Sequence, residues 1–177
     1  MYNILNLGCG KRRIEGAINI DIDPDSLADV QMNAEHTPWI WNDYSINEIY
    51  MFHFLEHTKE PNKILAECFR VLVKGGILHI TVPHSSCAGA NGCLFHHRTF
   101  SYNSLKDFLK GRFETIHQRI VWLPHYEWLP IQWLIDLSPR FFERIWCYYV
   151  GGATEVQWEG EKIYSKIEHL RFHYPKK

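Results

Sequence analysis

The sequence predicts an α/β fold with a mostly parallel β-sheet, and three observations lead to this prediction. An apolar, strand-like segment runs into a Gly-x-Gly at residues 8–10, and a second apolar segment ends on acidic residues from Asp21. Further along, residues 61–72 carry apolar side chains at helical spacing, and a short β-rich run follows at residues 77–82. Strands that alternate with a helical segment are typical of a parallel sheet.

The glycine pair indicates a binding site for a nucleoside-type cofactor. Gly8 and Gly10 let the backbone turn sharply and approach a ligand, because no Cβ stands in the way. An acidic group at the tip of the next strand, here Asp21, can accept hydrogen bonds from ribose hydroxyls. A lone Gly-x-Gly also occurs in ordinary tight turns, so this interpretation depends on the downstream order.

The segments downstream continue the α/β pattern. A short apolar piece at residues 29–32 and a strand-like segment at residues 48–52 precede the helix at residues 61–72. We expect Gly75 and Gly76 to stop that helix before the next strand begins.

The link between the first two strands is unusually short, since only residues 11–16 separate Gly10 from the second strand. A crossover between parallel strands normally takes a dozen or more residues and usually contains a helix. We therefore expect this link to cross the sheet in extended form, with at most one helical turn.

Five segments follow one another in a specific order: LNLGCG, INIDIDP, SINEIYMFHFLEH, ECFRVLVKGGILHITVPH and HHRTFSYNSL. Together, over about residues 3–105, they resemble the small class I S-adenosylmethionine-dependent methyltransferases, in the type 11-like subgroup with a shortened first motif. The resemblance implies a Rossmann-like sheet closed by a C-terminal antiparallel strand pair, with S-adenosylmethionine as cofactor. It also implies methyl transfer to an oxygen or nitrogen nucleophile on a small molecule or a glycan, the glycan by family analogy alone.

The resemblance also assigns cofactor contacts. Asp21 matches the acidic ribose ligand, with Asp23 a close second, and Ile22 would lie against the adenine. Asn33 and Ala34 match the turn that contacts the adenine amino edge, although Asn33 is equally well explained as a turn residue. The predicted cofactor-binding set is Leu7, Gly8, Cys9, Gly10, Lys11, Asp21, Ile22, Asn33, Ala34, His53 and Glu56.

The carboxylate at the methionine end of the cofactor needs a positively polarised partner. Backbone amides of residues 9–11 and the side chains of Lys11, Arg12 or Arg13 are candidates, and simple solvation of these cations is the alternative. Arg12 stands where the family pattern has its third glycine.

Residues 53–57 match H-x-x-E-H, a zinc-hydrolase pattern that would use His53, Glu56 and His57. That pattern needs both histidines on one helical face, whereas the preceding residues read as a strand that ends near His53. We therefore assign no metal ligands and place these residues at the cofactor or acceptor site.

Methyl transfer requires alignment and, for an oxygen or nitrogen nucleophile, a group that accepts a proton. Histidine suits proton removal because its unperturbed pKa is ~6.5. Residues 85–92 form a loop with glycine and serine that could act as a lid. The predicted catalytic candidates are His53, His84, His96 and His97.

Length and composition describe an ordinary globular chain, with 177 residues, 46% apolar and 22% charged. We expect one methyltransferase domain over residues 1–177, with a cofactor-binding half at 1–84 and an acceptor side at 85–177. A net charge of −1 gives no reason to expect nucleic acid as a partner. The five cysteines form no CxxC pair, and no apolar run is long enough to span a membrane, so we expect reduced thiols and a cytoplasmic location.

The C-terminal third is dense in aromatic residues, especially at 122–150, where prolines exclude one long helix. We expect a helix at about residues 140–149 and closing strands over 155–164 that turn at Glu159-Gly160. The aromatic surface could cap the core, form a homodimer interface, touch a membrane surface or line an acceptor pocket. Two rival functions stay open here, the zinc-dependent hydrolase and a non-catalytic cofactor-binding module.

Overall fold

The protein is organised around one seven-stranded β-sheet. Its computed structural model describes residues 3–122, 130–147 and 152–163. The strands are β1 (Ile4–Leu7), β2 (Ile18–Asp21), β3 (Val30–Gln31), β4 (Ile46–Phe52), β5 (Leu72–Pro83), β6 (Phe113–Val121) and β7 (Glu155–Lys162). They lie in the order β3-β2-β1-β4-β5-β7-β6, with β7 antiparallel to both neighbours and the other pairs parallel. The predicted α/β fold is confirmed.

The helices are short and few in the described ranges. They are α1 (Pro61–Val71), α2 (Ala88–Gly92), α3 (Tyr102–Leu109), α4 (Pro130–Leu137) and α5 (Pro139–Phe141), with a 3-10 turn at Leu55–His57 and a π-helical turn at Phe142–Trp146. Within the described parts of the chain, none has the length and apolar character to cross a membrane.

Helix α1 forms because its apolar residues repeat at helical spacing and Pro61 occupies the first position, where its missing N–H needs no partner. The buried face carries Ile64, Leu65 and Val71, which join the main core against the sheet. Burial of each such side chain contributes about 1.5–3 kcal/mol, so this face is what holds the helix in place.

The junction between α1 and β5 differs from the prediction. The helix ends at Val71 and the strand begins at once, because Leu72 is fully buried and pairs with Ile46. The register then shifts before Ile77, and Gly75 lies within this irregularity at φ +73°. The glycines therefore accommodate a bulge in the strand and do not stop the helix.

The C-terminal strand also differs from the prediction. The expected turn at Glu159-Gly160 is wrong, because β7 runs straight through both residues and pairs with β5 and β6. Gly160 is required there for space: a Cβ would lie 2.3 Å from the Trp158 ring and 2.6 Å from the Glu114 carbonyl oxygen. Residue 164 lies outside the described residues.

The aromatic segment is only partly described. In place of a regular helix at 140–149 there are the short α5 and a π-helical turn, and residues 148–150 lie outside the described ranges. Ile120, Ile135, Phe142 and Ala153 form a second, smaller core beside β6. Part of the aromatic segment thus caps this end of the sheet.

The link between β1 and β2 contains no helix, as predicted. Two buried amides hold it against the sheet: Asn6 Nδ2 donates to Asn19 Oδ1 and to the Arg12 carbonyl, both at 2.9 Å. Asn19 also bonds both backbone groups of Ile14 and the Ala17 carbonyl. Side-chain amides therefore satisfy the backbone of a crossover that has no helical hydrogen bonds of its own.

Candidate active site

A cavity of about 790 Å³ opens at the carboxyl ends of β1, β2 and β4. In an open α/β sheet this is the edge where ligands bind. Six predicted cofactor residues line it, namely Gly8, Asp21, Ile22, Asn33, Ala34 and His53. The cavity therefore lies where the sequence places the cofactor.

The glycine loop forms one wall. Gly8 has φ +67°, and a Cβ there would lie 2.4 Å from Cδ2 of Phe54, so the loop and this ring share a space that only glycine permits. Gly10 has φ +49°, and its N–H donates to Asp21 Oδ2 at 2.7 Å. The Cys9 N–H donates to the Ile20 carbonyl. The Cys9 and Gly10 amides are thus engaged within the loop.

Asp21 closes β2 at the cavity wall. Besides the bond from Gly10, its Oδ1 accepts the Asp23 N–H at 2.9 Å. A carboxylate offers about four lone-pair sites, so both oxygens can accept further hydrogen bonds from a ligand. Beside it, Ile22 is 61% exposed, an apolar surface available to a flat ring.

Other predicted cofactor residues lie outside the cavity lining. Leu7, Cys9 and Glu56 are buried, and Gly10 acts through its bond to Asp21. The Lys11 ammonium donates to the Asp25 carbonyl.

Arg13 and Arg12 also have partners in the protein. Arg13 donates to the Leu27 carbonyl and pairs with Asp29 at 2.6 Å. Arg12 lies 3.9 Å above the Phe52 ring. These contacts anchor the crossover and leave the predicted role toward the cofactor carboxylate without direct support.

The turn after β3 supplies a second wall. Asn33 Oδ1 accepts the Glu35 N–H at 2.9 Å, which is a turn-forming bond, while Asn33 still lines the cavity. Glu35 Oε1 accepts the N–H groups of Lys59 and Glu60. Burial raises the pKa of Glu35, but these hydrogen bonds outweigh it and hold the pKa below its usual value. Glu35 thus ties this turn to the segment before α1.

His53 lies at the end of β4 in a strained left-handed conformation, with φ +51°. Its Nε2 is 3.0 Å from Glu155 Oε1 and its Nδ1 is 3.4 Å from Glu56 Oε1. The hydrogen bond with Glu155, supported by Glu56, raises the pKa of His53 to about 9 against the opposing effect of burial. Two carboxylates therefore fix the ring on both sides at the cavity wall.

His84 is buried and does not line the cavity. The Ser86 N–H donates to its Nδ1 at 3.1 Å, so the proton resides on Nε2, which donates to Glu143 Oε1 at 3.0 Å. Glu143 Oε1 also accepts the Tyr102 N–H. Through Glu143, His84 therefore connects the end of β5 to the π-helical turn at Phe142–Trp146 and to the start of α3.

The remaining histidines cluster around the 3-10 turn. His57 lines the cavity, and its ring centroid is 4.7 Å from that of His96. His97 is exposed, and its backbone N–H donates to the Glu56 carbonyl. Of the four predicted catalytic histidines, the structure places His53 in the cavity wall and His96 against a wall residue.

Several wall residues were not predicted. Met32, Glu35, Thr58 and Phe95 line the cavity, and so does Phe54, which packs across Gly8. The only available signal was the H-x-x-E-H pattern at residues 53–57, which contains Phe54 and directly precedes Thr58. Nothing in the local pattern singles out Glu35 or Phe95, because each reaches the cavity from an irregular loop.

The sheet order, the glycine loop and the acidic strand end define a class of protein: an α/β protein that binds a nucleoside-type cofactor at the carboxyl edge of its sheet. Residues 5–80 match the family model described as a methyltransferase domain. These residues, which include the glycine loop and Asp21, carry the similarity to S-adenosylmethionine-dependent methyltransferases, and this similarity supports an enzyme that uses that cofactor.

Solved structures share the fold. A S-adenosylmethionine-dependent methyltransferase from Archaeoglobus fulgidus is 17% identical, with 91% of this chain and 86% of that chain covered and a TM-score of 0.67. One from Methanosarcina mazei is 17% identical, with 91% and 92% covered and a TM-score of 0.61. The [4+2]-cyclase SpnF is 17% identical, with 91% and 75% covered and a TM-score of 0.60. No curated protein matches the sequence. At these identities the likeness shows the fold and does not identify an acceptor.

Proposed function

We propose that this enzyme transfers a methyl group to an oxygen or nitrogen atom of a small molecule or glycan. The observation that supports the cofactor part of the proposal is Asp21, whose carboxylate lies in the cavity wall and accepts the Gly10 N–H. S-adenosylmethionine, when bound, supplies an electrophilic methyl group on a sulfonium sulfur.

The described residues fit such a cofactor. Asp21 offers lone pairs to two ribose hydroxyls, and charge-assisted bonds of this kind are worth roughly 1.5–3 kcal/mol each. Ile22 offers an exposed apolar surface for the adenine, and Asn33 and Ala34 border the same space. Gly8 keeps the loop open, since any Cβ there would meet Phe54.

The acceptor end is proposed to lie beside His53, His57 and Phe95. His53 is the predicted catalytic candidate that lines the cavity, and its two carboxylate partners suit a ring that orients an acceptor. His84, by contrast, is buried away from the cavity lining, with both ring nitrogens engaged within the protein. His96 and His97 remain predicted candidates for taking the proton.

Phe95 supports a sugar or an aromatic molecule as the acceptor, because its ring is 77% exposed at the cavity. An exposed ring can stack on the apolar face of a sugar or on an aromatic group. An acceptor screen that measures S-adenosylhomocysteine formation tests this, with Phe95→Ala expected to raise KM for the acceptor and leave cofactor affinity unchanged. Cofactor binding without turnover of any acceptor would favour the non-catalytic module instead.

The zinc-dependent hydrolase is not proposed. His53 lies before the 3-10 turn at positive φ, so His53 and His57 do not share a helical face as that motif requires.

The cofactor assignment is tested by Asp21→Asn, which keeps the size of the side chain and removes its charge. We expect S-adenosylhomocysteine affinity, measured by calorimetry, to fall at least about tenfold, because one charge-assisted bond is worth that much. Asp25→Asn is the matched control, since Asp25 is exposed in the same loop and outside the cavity lining. In the unmodified protein, ligand at a hundred times its Kd should raise Tm by roughly 5–10 °C. Equal affinity in the two variants would reject the ribose assignment.

Three further parts of the proposal concern the whole chain. We propose one domain over residues 1–177, with the cofactor half at 1–84 and the acceptor side at 85–177, and a homodimer through the aromatic C-terminal region. We also propose a cytoplasmic location, which is supported by five cysteines that are all free thiols.

A further inference from the structure

The carboxylate of Glu56 is buried without hydrogen bonds. The side chain is 1% exposed, and among the described residues no donor forms a hydrogen bond to either of its oxygens. The nearest charged group is His53, whose Nδ1 lies 3.4 Å from Oε1, an ion-pair distance without a formed hydrogen bond. His53 therefore faces only one of the two oxygens, and a buried carboxylate oxygen without a hydrogen bond is costly, so a bound ion would be a stabilising second partner.

Two imidazoles face this carboxylate from different segments. His57 follows it in the 3-10 turn, and His96 comes from the loop before α3. One carboxylate oxygen and one nitrogen from each ring all lie within 4.8 Å of one another. Tetrahedral ligands at 2.0–2.1 Å from an ion are about 3.3 Å apart, so the distances among these three groups would have to shorten by at most about 1.5 Å to hold one.

The hydrogen bonds that His57 and His96 form with backbone carbonyl groups are typical of metal-binding histidines. His57 Nδ1 is 3.3 Å from the Phe95 carbonyl oxygen, and His96 Nδ1 is 3.0 Å from the Ala90 carbonyl oxygen. A carbonyl only accepts, so each Nδ1 carries the proton and each Nε2 keeps its lone pair. Metal-binding histidines characteristically donate their second ring N–H to a carbonyl or carboxylate in this way.

We propose that Glu56, His57 and His96 bind a divalent transition-metal ion at the acceptor end of the cavity. Two imidazoles and one carboxylate suit Zn²⁺ or Mn²⁺, while Mg²⁺ prefers an all-oxygen set. Three protein ligands leave at least one position for an outside oxygen, and His57 lines the cavity. The ion would therefore take the hydroxyl oxygen of an acceptor as a ligand. This last step rests on the proposed function, whereas the metal site itself does not.

The test begins with chelator-treated full-length protein, titrated with ZnCl₂, MnCl₂ or MgCl₂ in a calorimeter and analysed for bound metal. We expect one Zn²⁺ or Mn²⁺ per chain and weaker binding of Mg²⁺. Loss of an outer-shell partner alone costs 10–100-fold in metal affinity, so Glu56→Gln and His96→Ala should each cost at least that much. His97→Ala is the matched control, because it removes the adjacent exposed imidazole and should change metal affinity less than about threefold.

A folding control separates a binding defect from a structural one. Metal-free Glu56→Gln loses only the ion pair with the exposed His53 ring, so it should still unfold in one cooperative transition, and it should lose the rise in Tm that metal gives the parent. Metal binding that is absent in the parent, or equal in Glu56→Gln and the parent, would overturn the site.

Cofactor affinity keeps the two proposals distinguishable. If S-adenosylhomocysteine binds and no metal binds, the metal site fails and the methyltransferase proposal stands. If metal binds and Asp21→Asn leaves cofactor affinity unchanged, the ribose assignment fails and the metal site stands.

Discussion

Gly8 and Gly10 share a left-handed backbone but differ in what surrounds them. A Cβ on Gly10 would meet nothing within 4 Å, whereas one on Gly8 would meet the Phe54 ring at 2.4 Å. Gly10 is therefore required for its backbone conformation alone, whereas Gly8 is required for both its backbone conformation and the space beside Phe54.

This contrast predicts unequal costs for Gly8→Ala and Gly10→Ala. Gly10→Ala should cost about 1–2 kcal/mol of unfolding free energy, the usual cost of a left-handed conformation. Gly8→Ala should cost about 1–3 kcal/mol more, because Phe54 must move. Urea denaturation of both variants measures the difference, and equal losses would contradict the proposed contact.

The ionised side chain of Asp29 contributes to the free energy of unfolding, and this contribution depends on pH. Hydrogen bonds from the Asn19 backbone and side chain, and then from Arg13, lower the pKa of Asp29 to about 2 from 3.8. A group whose pKa is lower in the folded state stabilises fully above its unfolded pKa and loses that effect as pH falls through its folded pKa.

We therefore expect the Tm difference between the parent and Asp29→Asn to be constant above about pH 4 and to shrink as pH falls toward 2. Thermal unfolding of both proteins between pH 5 and 2 measures this. Other carboxylates titrate in both proteins, so only the difference reports on Asp29, and a difference that does not change with pH would refute the assignment.

At the scale of elements, the crossover between β1 and β2 depends on side-chain amides where a helix is missing. Asn19 is fully buried and bonds Asn6, Ile14, Ala17 and Asp29. Its removal would leave several buried polar groups without partners.

Asn19→Leu should therefore destabilise the protein by about 2–4 kcal/mol, since each group left unsatisfied costs about 1–3 kcal/mol and apolar burial offsets part of the loss. The exposed Asn62→Leu on α1 is the control, and it should change stability by less than about 0.5 kcal/mol. Chemical denaturation compares the two, and similar small effects would show that the amides do not hold the crossover.

Elements with a clear period were predictable, and those decided by distant pairing were not. The apolar side chains of residues 61–71 recur at helical spacing and so predict α1. The link after Gly10 is too short to contain a crossover helix. Leu72, however, could end a helix or begin a strand, and only its pairing with Ile46 decides. Gly160 was predicted to be a turn residue. The actual reason for glycine is the Trp158 ring, which occupies the space of a Cβ there, and this contact cannot be predicted from the local sequence.

The same reasoning applies to the site. Asp21 and Gly8 were predictable because strand ends of a parallel sheet meet at one edge. The cluster of Glu56, His57 and His96 was not, because His96 lies 39 positions after His57 in an irregular loop. No periodicity links two such segments.

At the scale of the whole molecule, α4 and α5 present an apolar face. Trp133, Leu134, Leu137 and Phe141 are 56–71% exposed, and exposed apolar side chains that lie together are typical of an interface. We expect a dimer in solution that Leu137→Glu converts to a monomer, as measured by light scattering over a range of concentrations. Ile40→Glu, at an exposed apolar residue in another loop, should leave the mass unchanged. A monomeric parent would refute the dimer.

The position of β7 has a consequence for biosynthesis. This strand comes after β6 in the chain yet lies inside the sheet, between β5 and β6, and it carries the Glu155 that holds His53. A nascent chain that has not yet released residues 155–162 from the ribosome presents β5 with an open edge, which can pair with other chains. Completion of the sheet and of the His53–Glu155 contact therefore waits until residues 155–162 have left the ribosome, and a chaperone that shields this edge until then would lower the risk of wrong pairing.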